Sequence, residues 1–210
     1  MSPFADIPVS DPTPQLAPTA RRLLDAAVRV LDQHGFSGLT FERIAQEAGE
    51  NAALIRYHFG SKSGLVRDLV DVVLFAEAEQ LMATLSPLQG SERREALFRE
   101  QRHIAVRLTT FRRFYELIPH ILRDPELRLK LRDFLRWYWT MDGWAITGEY
   151  LDAEQVVKDA PLGLLSVAMF DGLALQMQAD PALDIEPAFR LWEALVLQYV
   201  GGSGAERGTP

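Results

Sequence analysis

Four side chains able to hydrogen-bond anions fall within one short stretch: Arg56, Tyr57, His58 and Lys62. Arginine can reach a guanine edge or a phosphate, and the other three can bond phosphate oxygens. Ala52 and Ala53, just before them, are small enough to let a backbone approach a groove. Catalytic chemistry has no comparable nominee. The histidines, His34, His58, His103 and His120, form no His-Glu-x-x-His pair, and neither a Gly-x-Ser-x-Gly turn nor a glycine-rich phosphate loop occurs. Glu100 and His103 have the Glu-x-x-His spacing of a di-iron bundle, but that site needs a second such pair and two further glutamates. No enzyme activity, metal or cofactor is expected.

Composition narrows the classes further. The 210 residues are 48% hydrophobic, ample for a packed core, and contain no cysteine. Disulfides and thiolate metal sites are thereby excluded. No unbroken run of about 18 apolar residues is present. The first residues carry Asp6, Asp11 and several prolines in place of a basic segment followed by an apolar one. The expected location is cytoplasmic. A net charge of −7 argues against nucleic acid until its distribution is considered. From Pro18 to Lys62, Arg21, Arg22, Arg29, Arg43, Arg56 and Lys62 face Asp25, Asp32, Glu42, Glu47 and Glu50, a net +1 that leaves −8 elsewhere.

The elements that must position these side chains are helical. Residues 1–17 hold four prolines and no apolar periodicity and read as a disordered arm; 201–210 read as a flexible tail. A first helix is expected from about Thr19 to His34, with Leu23, Leu24, Ala27, Val30 and Leu31 as its apolar stripe and Gly35 as its stop. Thr40 caps a second helix that buries Ile44, Ala45 and Ala48 and stops at Gly49. Asn51 caps a third, Ala52 to Phe59, which buries Ile55 and Phe59. Gly60 closes it, and Ser61 caps a fourth helix running to about Leu85. Two short helices about a glycine turn cannot stand alone and must pack on the first and fourth, which is the build of a helix-turn-helix at about 40–59.

The stretch from Leu39 to Leu65 resembles the DNA-binding domain of the TetR (tetracycline-repressor) family over roughly residues 18–75. The resemblance is carried by Ile44-Ala45, Ala48-Gly49, Tyr57-His58-Phe59, Ser61-Lys62 and Leu65. It implies that Thr40, Tyr57, His58 and Lys62 contact phosphates, and that Arg43, Asn51, Ala52, Ala53 and Arg56 lie nearest the bases. Glu50 stands where the family usually has an apolar residue, and Ala53 where glycine is frequent. A carboxylate there costs DNA affinity unless it points away or pairs with an arginine.

Residues 76–200 are expected to form an all-α ligand-binding and dimerisation body, giving about nine helices in all. Helices at about Pro161–Ala179 and Glu186–Val200 are apolar on more than one face and so need partners on more than one side. The family resemblance implies that the same helices of a second subunit supply them, through Leu165, Met169, Leu173, Phe189, Trp192, Leu195 and Tyr199. The middle helices concentrate Phe111, Phe114, Tyr115, Trp137, Tyr138, Met141 and Trp144, with His103, Arg107, Asp142 and Asp171 as polar neighbours. Such a set is either helix-packing core or the wall of a pocket for an apolar or aromatic molecule. The expected function is a homodimeric, ligand-responsive regulator. It would repress from a palindromic operator of double-stranded DNA and be released by a small effector. The alternative is a helical carrier or enzyme whose helix-turn-helix docks a protein.

Overall fold

The computed structural model describes residues 4, 7, 8, 10–106, 108–159 and 161–206. Every regular element among them is helical. Ten α-helices follow in order: α1 (Pro18–His34), α2 (Phe41–Ala48), α3 (Ala52–Phe59), α4 (Lys62–Leu85), α5 (Gly90–Val106), α6 (Leu108–Ile121), α7 (Pro125–Thr147), α8 (Ala153–Asp159), α9 (Leu162–Ala179) and α10 (Glu186–Glu206). Helix α6 runs through Pro119, and α10 continues past Gly201, where the sequence reading places a tail. Within the segment read as a disordered arm, Thr13–Gln15 forms a 3-10 turn held by the Asp11 carboxylate.

The chain divides into two compact units. The first joins Ile7–Glu79 to Arg112–Phe134. Its core is the apolar stripe of α1 (Leu23, Leu24, Ala27, Val30 and Leu31) with Ile44, Ile55, Leu65 and Leu69, all buried. Each such large side chain contributes ~1.5–3 kcal/mol on burial. The second stretch is tied in by side chains far apart in sequence. Arg113 Nε and Nη2 donate to Asp32 at 2.6 and 2.7 Å, and that paired bonding holds the guanidinium above its usual pKa. Lys130 donates to both oxygens of Asp71, and Arg67 pairs with Glu126.

The second unit holds Gln80–Phe111, the chain from Leu135 onward, and Phe4. Phe4 is 4% exposed and lies with its ring centroid 5.3 Å from Trp144, 5.4 Å from Tyr150 and 6.4 Å from Trp137. Helices α7 and α9 touch at Gly163, where a Cβ would stand 2.1 Å from the Trp139 carbonyl oxygen. Helix α9 is also long and apolar enough to cross a membrane by length and composition, and 39% of it is buried.

Candidate nucleic-acid interface

The local sequence shapes α2 and α3 before any tertiary contact acts. The Thr40 hydroxyl accepts from the Arg43 N–H at 3.2 Å, and the Asn51 side-chain oxygen accepts from the Ala53 N–H at 2.8 Å. Each cap satisfies a helix-end donor, typically worth about 1 kcal/mol. Between the helices Gly49 adopts φ 68° and ψ 32°, a left-handed turn that favours glycine. Burial of Ile44 and Ala45 on α2 and of Ile55 and Phe59 on α3 then fixes which faces point outward.

Thr40, Arg43, Asn51, Ala53, Arg56, Tyr57 and Lys62 are exposed, while Ala52 and His58 are half-buried. Tyr57, at 80% exposure, is a large aromatic that the fold leaves in water. Its ring meets that of His58 edge-on at 4.9 Å. The Arg56 guanidinium lies 5.7 Å from the centre of the Phe41 ring, and Arg43 Nη1 donates to the Gly38 carbonyl at 3.3 Å. The arrangement can therefore offer exposed cationic and hydroxyl donors from α3 and the start of α4.

Glu50 does not stand free beside these groups. Its carboxylate accepts from Arg22 Nε at 3.1 Å and pairs with Arg22 Nη2, and Glu47 is paired with Arg29 in the same way. Of the two escapes open to Glu50, pairing with an arginine is the one the structure contains. Lys62 has support that the sequence did not suggest. Its Nζ sits 4.8 Å from the centre of the Phe36 ring, and that ring stacks on His120 at 3.3 Å. Burial, helped by nearby Arg123 and Lys62, holds the His120 pKa below its usual value and favours the neutral ring at pH 7. Glu116 accepts from the Phe36 N–H at 2.9 Å and fixes the position of that residue.

The expected pocket residues fall in both units. Phe111, Trp137, Tyr138, Met141 and Trp144 are buried in the second, where Asp171 is half-buried. His103, in the same unit, is exposed on α5 and lines no interior surface. Phe114 and Tyr115 belong to the first unit, both half-buried. Of the polar groups in that interior, Asp142 is among the expected neighbours, whereas Gln101 and Ser166 are not; Arg107 lies outside the described residues. Gln101, Asp142 and Ser166, on α5, α7 and α9, are fully buried together, and Gln101 Nε2 donates to Asp142 Oδ2 at 2.7 Å. Burial, opposed by bonds from Ser166 and Gln101, pushes the Asp142 carboxyl up to about 7; burial does the same to Asp171.

Of the expected interface residues, Leu165, Leu195 and Tyr199 are exposed, and Met169, Leu173 and Trp192 are half-buried. Phe189 is different. It is wholly buried within its own unit, with the Arg102 guanidinium 5.5 Å from its ring centre, so it is core and offers no surface to a second chain. Leu191, at 63% exposure, belongs to the outward face instead.

An all-helical chain with two short, glycine-separated helices presenting cationic side chains is a helix-turn-helix protein. Residues 23–69 match the model of the bacterial regulatory proteins of the tetR family. The chain is 36% identical over 70 residues to the HTH-type transcriptional regulator BetI of Agrobacterium fabrum, covering 33% of this chain and 34% of that protein. It is 44% identical over 52 residues to the HTH-type transcriptional regulatory protein RaaS of Mycobacterium tuberculosis, covering 25% and 24%. It thus spans about a third or less of the length of these curated relatives. The fold is similar over most of the chain to a transcriptional regulator from Rhodococcus sp. Rha1, with a TM-score of 0.69, 22% identity, and 85% and 96% of the two chains covered. It is likewise similar to the multidrug binding protein EbrR complexed with malachite green, with a TM-score of 0.62, 22% identity, and 87% and 98% covered. Over residues 23–69, the segment that carries α2 and α3, the chain is therefore similar to the tetR family of bacterial regulators.

Proposed function

We propose that this protein is a cytoplasmic, ligand-responsive transcriptional regulator that binds a palindromic operator as a homodimer and is released by a small apolar or aromatic effector. The observation that carries the reading is the set of exposed Arg56 and Tyr57 with half-buried His58 on α3, whose Ile55 and Phe59 are buried, together with exposed Lys62 at the start of α4. Thr40, Arg43, Asn51, Ala52 and Ala53 complete the DNA-facing surface. Because the Thr40 and Asn51 oxygens are already engaged as caps, base reading falls mainly to Arg56, thymine-methyl contacts and DNA shape.

Two further features support the rest of the reading. Leu165, Leu191, Leu195 and Tyr199 leave apolar surface on α9 and α10 that a second copy would cover; a dimer reading a palindromic site needs two α3 helices about one DNA turn apart. The buried aromatics Phe111, Trp137, Tyr138 and Trp144 suit an apolar ligand, and one protein of similar fold, EbrR, is a multidrug binding protein. For release, the ligand must favour the DNA-incompetent state. A hundredfold loss of operator affinity requires about 2.7 kcal/mol of differential binding. The test is a gel shift with the duplex upstream of the protein's own gene, at several salt concentrations. Saturable, sequence-selective retardation is expected. Binding no tighter than to a scrambled duplex would overturn the proposal.

A further inference from the structure

The interior of the second unit contains two buried acceptor atoms, one on Asp142 and one on Gln101, that no described group bonds. Asp142 and Gln101 are both at 0% exposure. They bond each other through Asp142 Oδ2 and Gln101 Nε2, yet Asp142 Oδ1 and Gln101 Oε1 have no hydrogen-bond partner. A buried carboxylate oxygen left in this state is costly, and a retained one needs a reason.

The groups acting on the Asp142 charge are Ser166, Gln101 and the carboxyl of Asp171, none of them a cation. Arginines on α5 are committed elsewhere. Arg93 donates to the Leu88 carbonyl and lies over Trp144, Arg94 donates to the Ile146 carbonyl, and Arg102 pairs with Glu186 and Glu193. Two orphan acceptors beside a second carboxyl ask for a group that is positively charged and carries more than one N–H. Aromatic surface is close along the chain: Tyr138 lies one turn before Asp142 on α7. Phe170, one turn after Ser166 on α9, packs edge-on against Phe111 at 5.1 Å.

We infer that Asp142, oriented by Gln101 and Ser166, is the anchoring counter-ion for a protonated amine carried by an aromatic effector. The inference rests on the ligand-responsive reading above and names the chemistry its effector must have. The amine donates to Asp142 Oδ1 and Gln101 Oε1, and its aromatic body packs on the neighbouring apolar side chains.

Calorimetric titration of the full-length protein with ω-phenylalkylamines, from benzylamine to 4-phenylbutylamine, each against the alcohol of the same length, tests this. At least one amine should bind tenfold or more tighter than its alcohol. Asp142→Asn, which keeps the side-chain volume, should bring the pair within threefold of each other, chiefly by weakening the amine. Equal binding of every pair to the wild type, a preference that survives Asp142→Asn, or binding of neither series would overturn the assignment. The wild-type ratio decides even if the variant fails to fold. Binding of the upstream duplex, measured on the same preparation, separates the two readings. Intact DNA binding without amine preference removes only the amine, whereas absent DNA binding removes the regulator.

Discussion

Replacing Arg56 with alanine should uncouple DNA affinity from folding. The side chain is exposed, and its nearest described partner is the Phe41 ring at 5.7 Å, a cation–π contact worth about 0.5–1 kcal/mol at a surface. Alanine also has the higher helix propensity, which offsets part of that loss. Stability should therefore move by less than about 1 kcal/mol, a shift of no more than roughly 4 °C in Tm for a chain of this size. Operator affinity should fall much further. A lost base contact costs about 1–3 kcal/mol, or about 5- to 150-fold. The assay is fluorescence anisotropy with a labelled upstream duplex and a set of single-base variants, repeated across salt concentrations. If Arg56 reads a base, one position of the site loses its preference while the salt slope holds. If it grips a phosphate, all sequences weaken alike and the slope falls by about 1. Wild-type affinity with an unchanged salt slope would refute the placement of α3 on DNA.

Leu195→Glu, at a side chain 50% exposed in the single chain, should leave the fold intact but bury an unpaired charge in the dimer, giving monomer by light scattering; a clean dimer would show that α10 is not the interface. Phe189→Ala should instead destabilise the protein by about 3–5 kcal/mol, because the ring is wholly buried; a Tm within 2 °C of wild type would contradict that burial. Asp142 and Asp171 ionise near 3.8 in an unfolded chain but near 7 when folded, so the folded state holds more protons between those values. Stability should fall as pH rises from about 4 to 7, and Asp142→Asn should flatten that decline and raise Tm at pH 8. An unchanged pH profile in the variant would refute it. Gly163→Ala, whose Cβ would meet the Trp139 carbonyl oxygen at 2.1 Å, should cost about 1–3 kcal/mol as α7 and α9 are forced apart, read as a lower urea midpoint.

What the sequence determined by itself is local. Thr40 and Asn51 cap the helices they precede, Gly49 turns the chain, and Ile44, Ile55 and Phe59 face inward, because caps, turns and helical periodicity act within about four residues. The tertiary structure decided whatever depends on residues far apart in the chain. Arg22 reaches Glu50 across 28 positions, Arg113 reaches Asp32 across 81, and Gln101 meets Asp142 across 41, and no periodic signal encodes those meetings. It likewise buried Phe189 while leaving Leu195 in water on the same apolar helix. Helix α10 is apolar on more than one face, and only the packing of its neighbours selects which face becomes core.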